Sequence, residues 1–415
     1  MMTNFKTKSV LIYDYGLFPE LAVRLSKDFG KVWYFCHWQN AFPKSDKALI
    51  GQGLEGVERI QNFWDYIDKA DLIIFPDTHC ADLVEYLKAK GYPVAGVGKA
   101  EMLELDRWKS RQIQKQLGLP TQHTIKIVGL DALRDYLKDK KNKFIKINIY
   151  RGELETARFI DYKSFEPLLD HIAYEFGAKK NTLEFIVEEE VGELEPGTDI
   201  IQFNDRVLSP VMLGWESKGI GYLVSVVPYN DLPKQLKEVH DKFNPIFKQL
   251  QTKFFISTEI RVEGDKGYLI DWSCRFAAPL PSAIQLELIK NYSEVIWGLG
   301  HNQLVQPVYK AKYAGGVSFE SEWAENHWLA IDFPPEMRQW VKLRMACKFN
   351  NTYYAVPGFS SVASVIALGN SPEEVINQVK ERSEEIKAYL LDKNLSGLDE
   401  IMIDIQKGKK LGLTF

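Results

Sequence analysis

The segment 254–276 constrains the fold most, because it reads as two strands joined by a tight turn. β-branched and aromatic residues fill both flanks, and the turn at 263–267, EGDKG, supplies glycines that tolerate positive φ. Side chains alternate faces along a strand, so Glu259 and Asp271 are expected to converge across the hairpin. Two carboxylates in this arrangement suit Mg²⁺. The same pattern is also typical of a solvated polar face on a half-buried hairpin.

The first hundred residues alternate short apolar segments with amphipathic ones. We expect strands at 9–13, 31–35 and 71–75, and helices at 19–29 and 81–90. Strands separated by helices of this length predict a doubly wound parallel sheet. Ligands of such sheets bind at the carboxyl ends of the strands, so the loops at 14–18 and 76–79 are candidate substrate contacts. Both loops also read as simple turns.

Composition restricts the class of protein. The chain has 415 residues, enough for several packed units, and its 45% hydrophobic and 26% charged residues are typical of a globular protein. The net charge of −4 argues against nucleic-acid binding, and the apolar runs are far shorter than the ~20 residues that span a membrane. Four cysteines without metal or disulfide spacing predict a cytoplasmic protein.

The segment 91–121 carries the first resemblance to a known family. It reads GYPVAGVGKA, LE and GLPT at 91–100, 103–104 and 118–121. These motifs resemble those of the ATP-grasp ligases, and within them the phosphoribosylamine-glycine ligases. We expect one helix over 100–121, closed by Gly118. The resemblance implies that Arg107 replaces a lysine that meets nucleotide phosphate, with the charge delivered as a planar fork.

Two later segments extend the resemblance to the nucleotide site. KFIK at 143–146 resembles the strand whose lysine reaches the phosphates, which makes Lys146 a candidate binding and catalytic residue. The segment 182–192 resembles the family's hinge. The resemblance implies that Glu188 and Val191 present backbone groups to adenine, and that Glu195, or the glutamate two positions earlier, takes the ribose hydroxyls.

The hairpin described first is similar to the family's metal-binding strand. The resemblance implies that Asp271 and Ser273 replace its glutamate and asparagine ligands, with Glu259 as a further acidic ligand. Arg275 keeps a family arginine, which implies a catalytic role in stabilising an acyl phosphate or substrate oxyanion. The family's G-D-P-E is AAPL at 277–280 in this chain, so the acceptor specificity is expected to differ.

The segment after Lys146 departs from the family pattern. Relatives carry a glycine-rich loop there, whose N–H groups close over phosphates, whereas INIYRGELET at 147–156 has one glycine. Arg151 offers a positive charge in place of those groups. The departure favours an alternative function, a catalytically degenerate protein that binds nucleotide and serves as a regulatory or scaffolding module.

The last hundred residues resemble the family's small C-terminal domain, with a strand at 361–369 and a helix over 371–390. The expected fold class is α/β, with an α+β arrangement within the two ATP-grasp subdomains. Its expected parts are an N-terminal doubly wound parallel-sheet domain, two ATP-grasp subdomains and a C-terminal domain, at 1–103, 104–190, 191–305 and 306–415.

The function that the resemblance implies is ATP-dependent joining of a carboxylate to an amine through an acyl phosphate. ATP and Mg²⁺, or Mn²⁺, are the expected cofactors, and both substrates are expected to be small molecules. We expect neither a membrane nor a nucleic acid as partner, and a monomer or a homodimer as the assembly.

Overall fold

The computed structural model describes residues 3–37, 49–150, 152 and 154–415. Its first elements are β1 (Ser9–Asp14), α1 (Pro19–Ser26), β2 (Lys31–Cys36), β3 (Glu58–Arg59), β4 (Leu72–Ile74), α2 (Ala81–Ala89) and β5 (Val94–Ala95). The strands form one parallel sheet in the order β3-β2-β1-β4-β5. The chain therefore proceeds outward from β1 in both directions, which confirms the predicted doubly wound sheet. Helix α1 is shorter than expected because the chain turns before β2 begins.

Two helices, α3 (Met102–Leu105) and α4 (Arg107–Gln116), replace the single helix expected over 100–121. Asp106 lies between them with φ −90° and ψ 78°, and its side chain accepts a hydrogen bond from the backbone N–H of Lys109 at 3.0 Å. An aspartate that caps the second helix in this way cannot continue the first. Gly118 follows α4 with a positive φ of 66°, as its place after the helix predicts.

A small antiparallel sheet follows. Its elements are β6 (Thr124–Val128), α5 (Leu130–Leu137), β7 (Lys143–Ile147), β8 (Thr156–Phe159), α6 (Tyr162–Phe176) and β9 (Glu184–Glu189), with the strand order β6-β9-β7-β8. One face packs under α5 and α6 in a core that includes Ile145 and Val187. Because side chains alternate along a strand, Lys146 and Glu188 lie on the opposite face.

The large antiparallel sheet begins with the next elements. They are β10 (Pro196–Phe203), β11 (Arg206–Ser217), β12 (Gly221–Val227), α7 (Lys234–Gln249), β13 (Lys253–Glu263), β14 (Lys266–Ser273), α8 (Leu280–Leu288) and α9 (Tyr292–Gly300). Strands β13 and β14 form the predicted hairpin. Its register places Glu259 directly opposite Asp271, so the two acids converge as expected.

The remaining chain completes the large sheet and adds a fourth. Its elements are β15 (Tyr313–Glu320), α10 (Trp323–Asn326), β16 (Leu329–Asp332), β17 (Val341–Leu343), β18 (Ala346–Phe349), β19 (Thr352–Ala355), β20 (Ser361–Gly369), α11 (Pro372–Glu384), β21 (Lys387–Ala388) and α12 (Ser396–Lys410). The large sheet runs β14-β13-β10-β11-β12-β15-β20-β17, and the fourth runs β18-β19-β16-β21. The three boundaries between the expected parts remain predictions, and hydrogen bonds between β12 and β15 cross the boundary after residue 305.

The helix expected over 371–390 is shorter than predicted. Ser371 caps it, accepting from the Glu374 N–H at 3.2 Å, but α11 ends at Glu384. The chain then forms β21, which pairs with β16, so the pairing of the strand ends the helix. In the described part of the chain, no helix has the length and apolar character needed to cross a membrane.

Candidate active site

A cavity of ≈ 260 Å³ lies between the open face of the small sheet and the β13–β14 hairpin. Phe144, Val191 and Ile270 supply apolar wall, and the rest of the lining is polar or charged. Six residues that the sequence marked for nucleotide or metal line it together: Lys146, Glu188, Val191, Glu195, Glu259 and Asp271. The cavity therefore combines an apolar slot with a dense set of charges.

Glu188 is one of the most buried charges of this cavity, at 2% exposure. Arg111 of α4 donates to both of its carboxylate oxygens, with 3.1 Å between Nη2 and Oε2, and the Lys146 Nζ lies 3.5 Å away. Burial opposes ionisation of this carboxyl, but Arg111 and Lys146 outweigh it and lower the pKa of Glu188 to about 2. Glu188 thus stays ionised and holds both cations in place.

The backbone of Glu188 has neighbours on both sides. Thr124 of β6 and Phe144 of β7 lie opposite it in the sheet, whereas Val191 follows the end of β9. Glu188 and Val191 were both predicted to meet adenine through the backbone. Val191 lies outside the strand pairing, so its backbone groups are not part of the hydrogen-bond ladder that includes Glu188.

Asp271 lies beside the same lysine. The Lys146 Nζ donates to its Oδ2 at 2.7 Å, and the Arg107 Nε is 3.8 Å from its Oδ1. Burial again opposes ionisation, but Lys146 and Arg107 hold the pKa of Asp271 below its usual range. In this structure the Lys146 ammonium and the Arg107 guanidinium lie beside the Asp271 carboxylate, where they would compete with a metal ion for its oxygens.

Arg107 does not line the cavity. It is 3% exposed, donates to the backbone oxygens of Ile147 at 3.2 Å and Tyr150 at 3.3 Å, and pairs with Glu155. Its guanidinium therefore holds both ends of the segment that replaces the family's glycine-rich loop. Arg151, whose charge we expected to serve phosphates, lies outside the described residues.

Lys218, on the turn between β11 and β12, is a site residue that the sequence analysis missed. Its Nζ lies 2.6 Å from Glu259, 2.8 Å from Glu195 and 3.4 Å from Glu216. Burial and the two neighbouring glutamates raise the pKa of Glu259, although Lys218 opposes the shift. Since the four residues come from separate strands or loops, no local motif signals their meeting.

A second cavity of ≈ 140 Å³ continues from the first and shares Glu195, Lys218 and Glu259 with it. The predicted residues Ser273 and Arg275 line this cavity and not the first. Arg275 is held from the N-terminal side of the molecule, because its Nε donates to Glu104 at 2.8 Å and lies 3.7 Å from Asp77. The other Glu104 oxygen accepts from the Cys274 N–H at 2.7 Å.

The predicted metal ligands supply only part of a coordination shell. Across the described ranges, no three His, Cys, Asp or Glu side chains are grouped in a way that would hold a metal ion. Glu259 and Asp271 are hard oxygen donors of the kind Mg²⁺ prefers, and that ion commonly completes its shell with waters and phosphate oxygens. The donor set therefore fits Mg²⁺ together with a phosphorylated ligand, provided that Lys146 and Lys218 release the two carboxylates.

Solved structures share this architecture. The phosphoribosylamine–glycine ligase of Thermotoga maritima matches with a TM-score of 0.70 at 13% identity, over 92% of this chain and 98% of that one. The biotin carboxylase domain of Hydrogenobacter thermophilus 2-oxoglutarate carboxylase, solved with MgADP, matches with a TM-score of 0.67 at 12% identity, over 98% and 96%.

The L-amino acid ligase of Bacillus licheniformis matches with a TM-score of 0.60 at 17% identity, over 92% of this chain and 99% of that one. This chain has the ATP-grasp fold. No protein-family model matches its sequence, and no curated protein does. The ATP-grasp resemblance that the sequence motifs suggested is confirmed at the level of the fold.

Proposed function

We propose that the chain is an ATP-dependent ligase that joins a carboxylate to an amine through an acyl phosphate. One observation carries the proposal: the cavity between the small sheet and the β13–β14 hairpin collects Lys146, Val191, Glu195, Glu259 and Asp271 around an apolar slot. Such a slot suits a purine ring, and the charges around it suit a triphosphate with a divalent ion. The site at which a nucleotide would bind therefore lies between the small sheet and the β13–β14 edge of the large sheet.

Each residue has a distinct part in this proposal. Phe144 and Ile270 would enclose adenine, with the Val191 backbone at its edge, and Glu195 would meet the ribose. Lys146 would leave Asp271 and meet phosphate oxygens, as a compact point charge on a stem that Glu188 orients. Arg107 would act indirectly, by ordering the segment after β7.

The divalent ion would be held by Asp271 and Glu259, with Ser273 as a weaker neighbour, and would neutralise charge on the phosphates during transfer. In the second cavity, Arg275 would stabilise the oxyanion of the activated carboxylate, since Glu104 and Asp77 keep its guanidinium in place. The protein's contribution is positioning and charge stabilisation.

Titration calorimetry with ATP, in the presence and absence of Mg²⁺, tests the proposal. We expect ATP to bind with millimolar or tighter affinity only with the metal. Lys146→Met removes a charged hydrogen bond to phosphate, which is worth about 1.5–3 kcal/mol, and so should weaken binding roughly 10- to 150-fold.

Lys126→Met is the matched control, because Lys126 lies on β6 of the same sheet but pairs with Glu184 outside the cavity. Its affinity for ATP should match that of the unchanged protein. Absence of heat and of any thermal shift with Mg²⁺ and ATP would refute the proposed nucleotide site.

A second candidate function is a nucleotide-binding protein without ligase activity, acting as a regulatory or scaffolding module. The segment at 147–156 favours it, since with one glycine its backbone N–H groups are less free to approach phosphates closely, and Arg107 is engaged by Glu155. The two candidates differ in turnover. ADP release that depends on added carboxylate and amine supports the ligase, whereas nucleotide binding without such release supports the module.

A further inference from the structure

The second cavity contains a buried carboxylate that the proposed function does not use. Asp199 lies on β10, is 2% exposed and lines this cavity. Its Oδ2 accepts from the Tyr222 hydroxyl at 2.7 Å, and its Oδ1 accepts from the Ser257 hydroxyl. Both donors are neutral. Within the described residues, no lysine, arginine or histidine forms an ion pair with Asp199.

A buried carboxylate without a cation is costly, because hydroxyl groups replace only part of the hydration that it loses. Burial accordingly raises the pKa of Asp199 to about 6, although Ser257 and Tyr222 oppose the shift. At neutral pH the group is therefore ionised and uncompensated.

The local backbone is adapted to this arrangement. Gly214 on β11 has no side chain, and a Cβ at that position would lie 1.8 Å from the Tyr222 hydroxyl oxygen. Only glycine leaves the space that the Tyr222 hydroxyl occupies beside Asp199. Asp199 and Ser257 face each other in the register of β10 and β13, so the second donor is fixed by strand pairing. Four strands thus build one polar pocket.

The cations of the cavity are already engaged by other acids. Arg275 is paired with Glu104 and lies near Asp77, and Lys218 is shared by Glu195, Glu216 and Glu259. Asp199 therefore remains a negative charge that no cation of the described residues pairs with, facing a space of ≈ 140 Å³. A space of this size holds roughly five water-sized volumes.

We propose that this second cavity binds the amine substrate as a small primary ammonium ion, with the ammonium group donating to the Asp199 carboxylate. The inference rests on the proposed function, because a nucleotide in the adjoining first cavity would activate the carboxylate that Arg275 meets in this one. An ammonium ion supplies both the positive charge and the hydrogen-bond donors that the buried carboxylate lacks. The apolar wall of Ala277, Ala278 and Pro281 favours an amine without a polyhydroxylated group.

The test measures binding of two probes of similar size without nucleotide, ethanolamine as the ammonium and ethylene glycol as its neutral counterpart. Ethanolamine should bind the unchanged protein and ethylene glycol should not. Asp199→Asn keeps the shape but removes the charge, and its amide can accept from one of the two hydroxyls and donate to the other, so ethanolamine should bind about 10- to 150-fold more weakly. Asp205→Asn, an exposed change on the β10–β11 turn, is the matched control and should leave binding unchanged.

The pH dependence provides a readout that a structural role would not produce. Protonation of Asp199 removes its charge, so ethanolamine binding to the unchanged protein should weaken as pH falls through about 6. The part of this step that is due to Asp199 should be missing in Asp199→Asn. The other groups that face Asp199 are Glu216, Tyr222 and Tyr309, and Glu195, Glu259, Lys218 and Arg275 line the same cavity. Burial also raises the pKa of Glu259, whose titration remains in both proteins, so the readout is the difference between their two pH profiles.

Equal affinity for the two probes, or ethanolamine affinity that survives Asp199→Asn with its pH step intact, overturns the ammonium site. The proposed function fails separately. If Mg²⁺ and ATP do not bind but ethanolamine still depends on Asp199, the nucleotide assignment is wrong and the ammonium site stands. Circular dichroism and thermal melting of Asp199→Asn confirm that it is folded before either conclusion is drawn.

Discussion

Charge pairs determine the candidate site at the scale of single residues. Glu188 binds Arg111 and Lys146, Asp271 binds Lys146, and Lys218 binds three glutamates. The convergence of Asp271 and Glu259 was predicted from strand alternation, although the β-bulge beside Glu259 sets the register that brings them opposite each other. The contacts of Arg111 with Glu188, and of Lys218 with Glu195 and Glu259, were not predictable, since these partners lie far apart in the sequence and no local spacing indicates the contact.

The pair of Glu188 and Arg111 gives a prediction about stability. Glu188→Gln leaves a buried guanidinium without its counter-charge, so the free energy of unfolding at pH 7 should fall by about 3–5 kcal/mol. Urea denaturation measures the change. Glu190→Gln, which removes an exposed partner of Arg158, should cost no more than about 1 kcal/mol.

The same pair predicts a pH dependence. The pKa of Glu188 in the folded protein, about 2, lies below the ~4.3 of an unfolded glutamate. Its stabilising effect is therefore complete above pH ~4.3 and is lost as pH falls toward 2. The difference in unfolding free energy between Glu188→Gln and the unchanged protein should shrink over that interval. A difference that stays constant down to the acid limit would contradict the assignment.

At the scale of elements, the strands that were predicted from sequence patterns are present, whereas several helix ends were predicted wrongly. The hairpin of β13 and β14 has both its turn and its alternation in the sequence, so both strands were predicted, but the bulge that shifts their register was not. The break at Asp106 was missed because the apolar spacing continues across it, and α11 was predicted too long because pairing of β21 with β16 is a tertiary event. Local patterns predict an element's type better than its ends.

The two helix N-caps, Asp106 and Ser371, are expected to contribute differently to the free energy of unfolding. Asp106 caps α4 and also accepts from the Asn148 amide at 3.2 Å, whereas Ser371 only caps α11. Asp106→Ala should therefore reduce the free energy of unfolding by about 1–2 kcal/mol, and Ser371→Ala by about 0.5–1 kcal/mol. Chemical denaturation of the two variants checks the order. An equal or reversed order would show that the bond to Asn148 contributes nothing.

At the scale of the whole molecule, the second cavity depends on residues beside the N-terminal sheet as well as on the large sheet. Glu104 and Asp77 hold Arg275 from one side, and Ala277 and Ala278 form part of the wall. The sequence predicted the individual residues and the loop at 76–79, but not that they meet at Arg275. Their meeting follows from the packing of the first sheet against the large sheet, which single-strand patterns do not encode.

This packing predicts that phosphoribosylamine is a poor acceptor. AAPL at 277–280 offers no acidic side chain, so a polyhydroxylated amine that enters the cavity would not recover the hydration it loses. Phosphate release from ATP with glycine and freshly generated phosphoribosylamine measures the reaction. Turnover at ordinary enzyme rates, ~1–10³ s⁻¹, would contradict the expected change of acceptor.

The most direct test of the proposed nucleotide site is a crystal structure of the chain with a non-hydrolysable ATP analogue and Mn²⁺, measured for anomalous scattering. We expect an anomalous peak between Asp271 and Glu259, with Lys146 moved from Asp271 to a phosphate oxygen and the purine between Phe144 and Ile270. A nucleotide bound elsewhere, or a triphosphate in this cavity with no metal at the two carboxylates, would contradict the assignment.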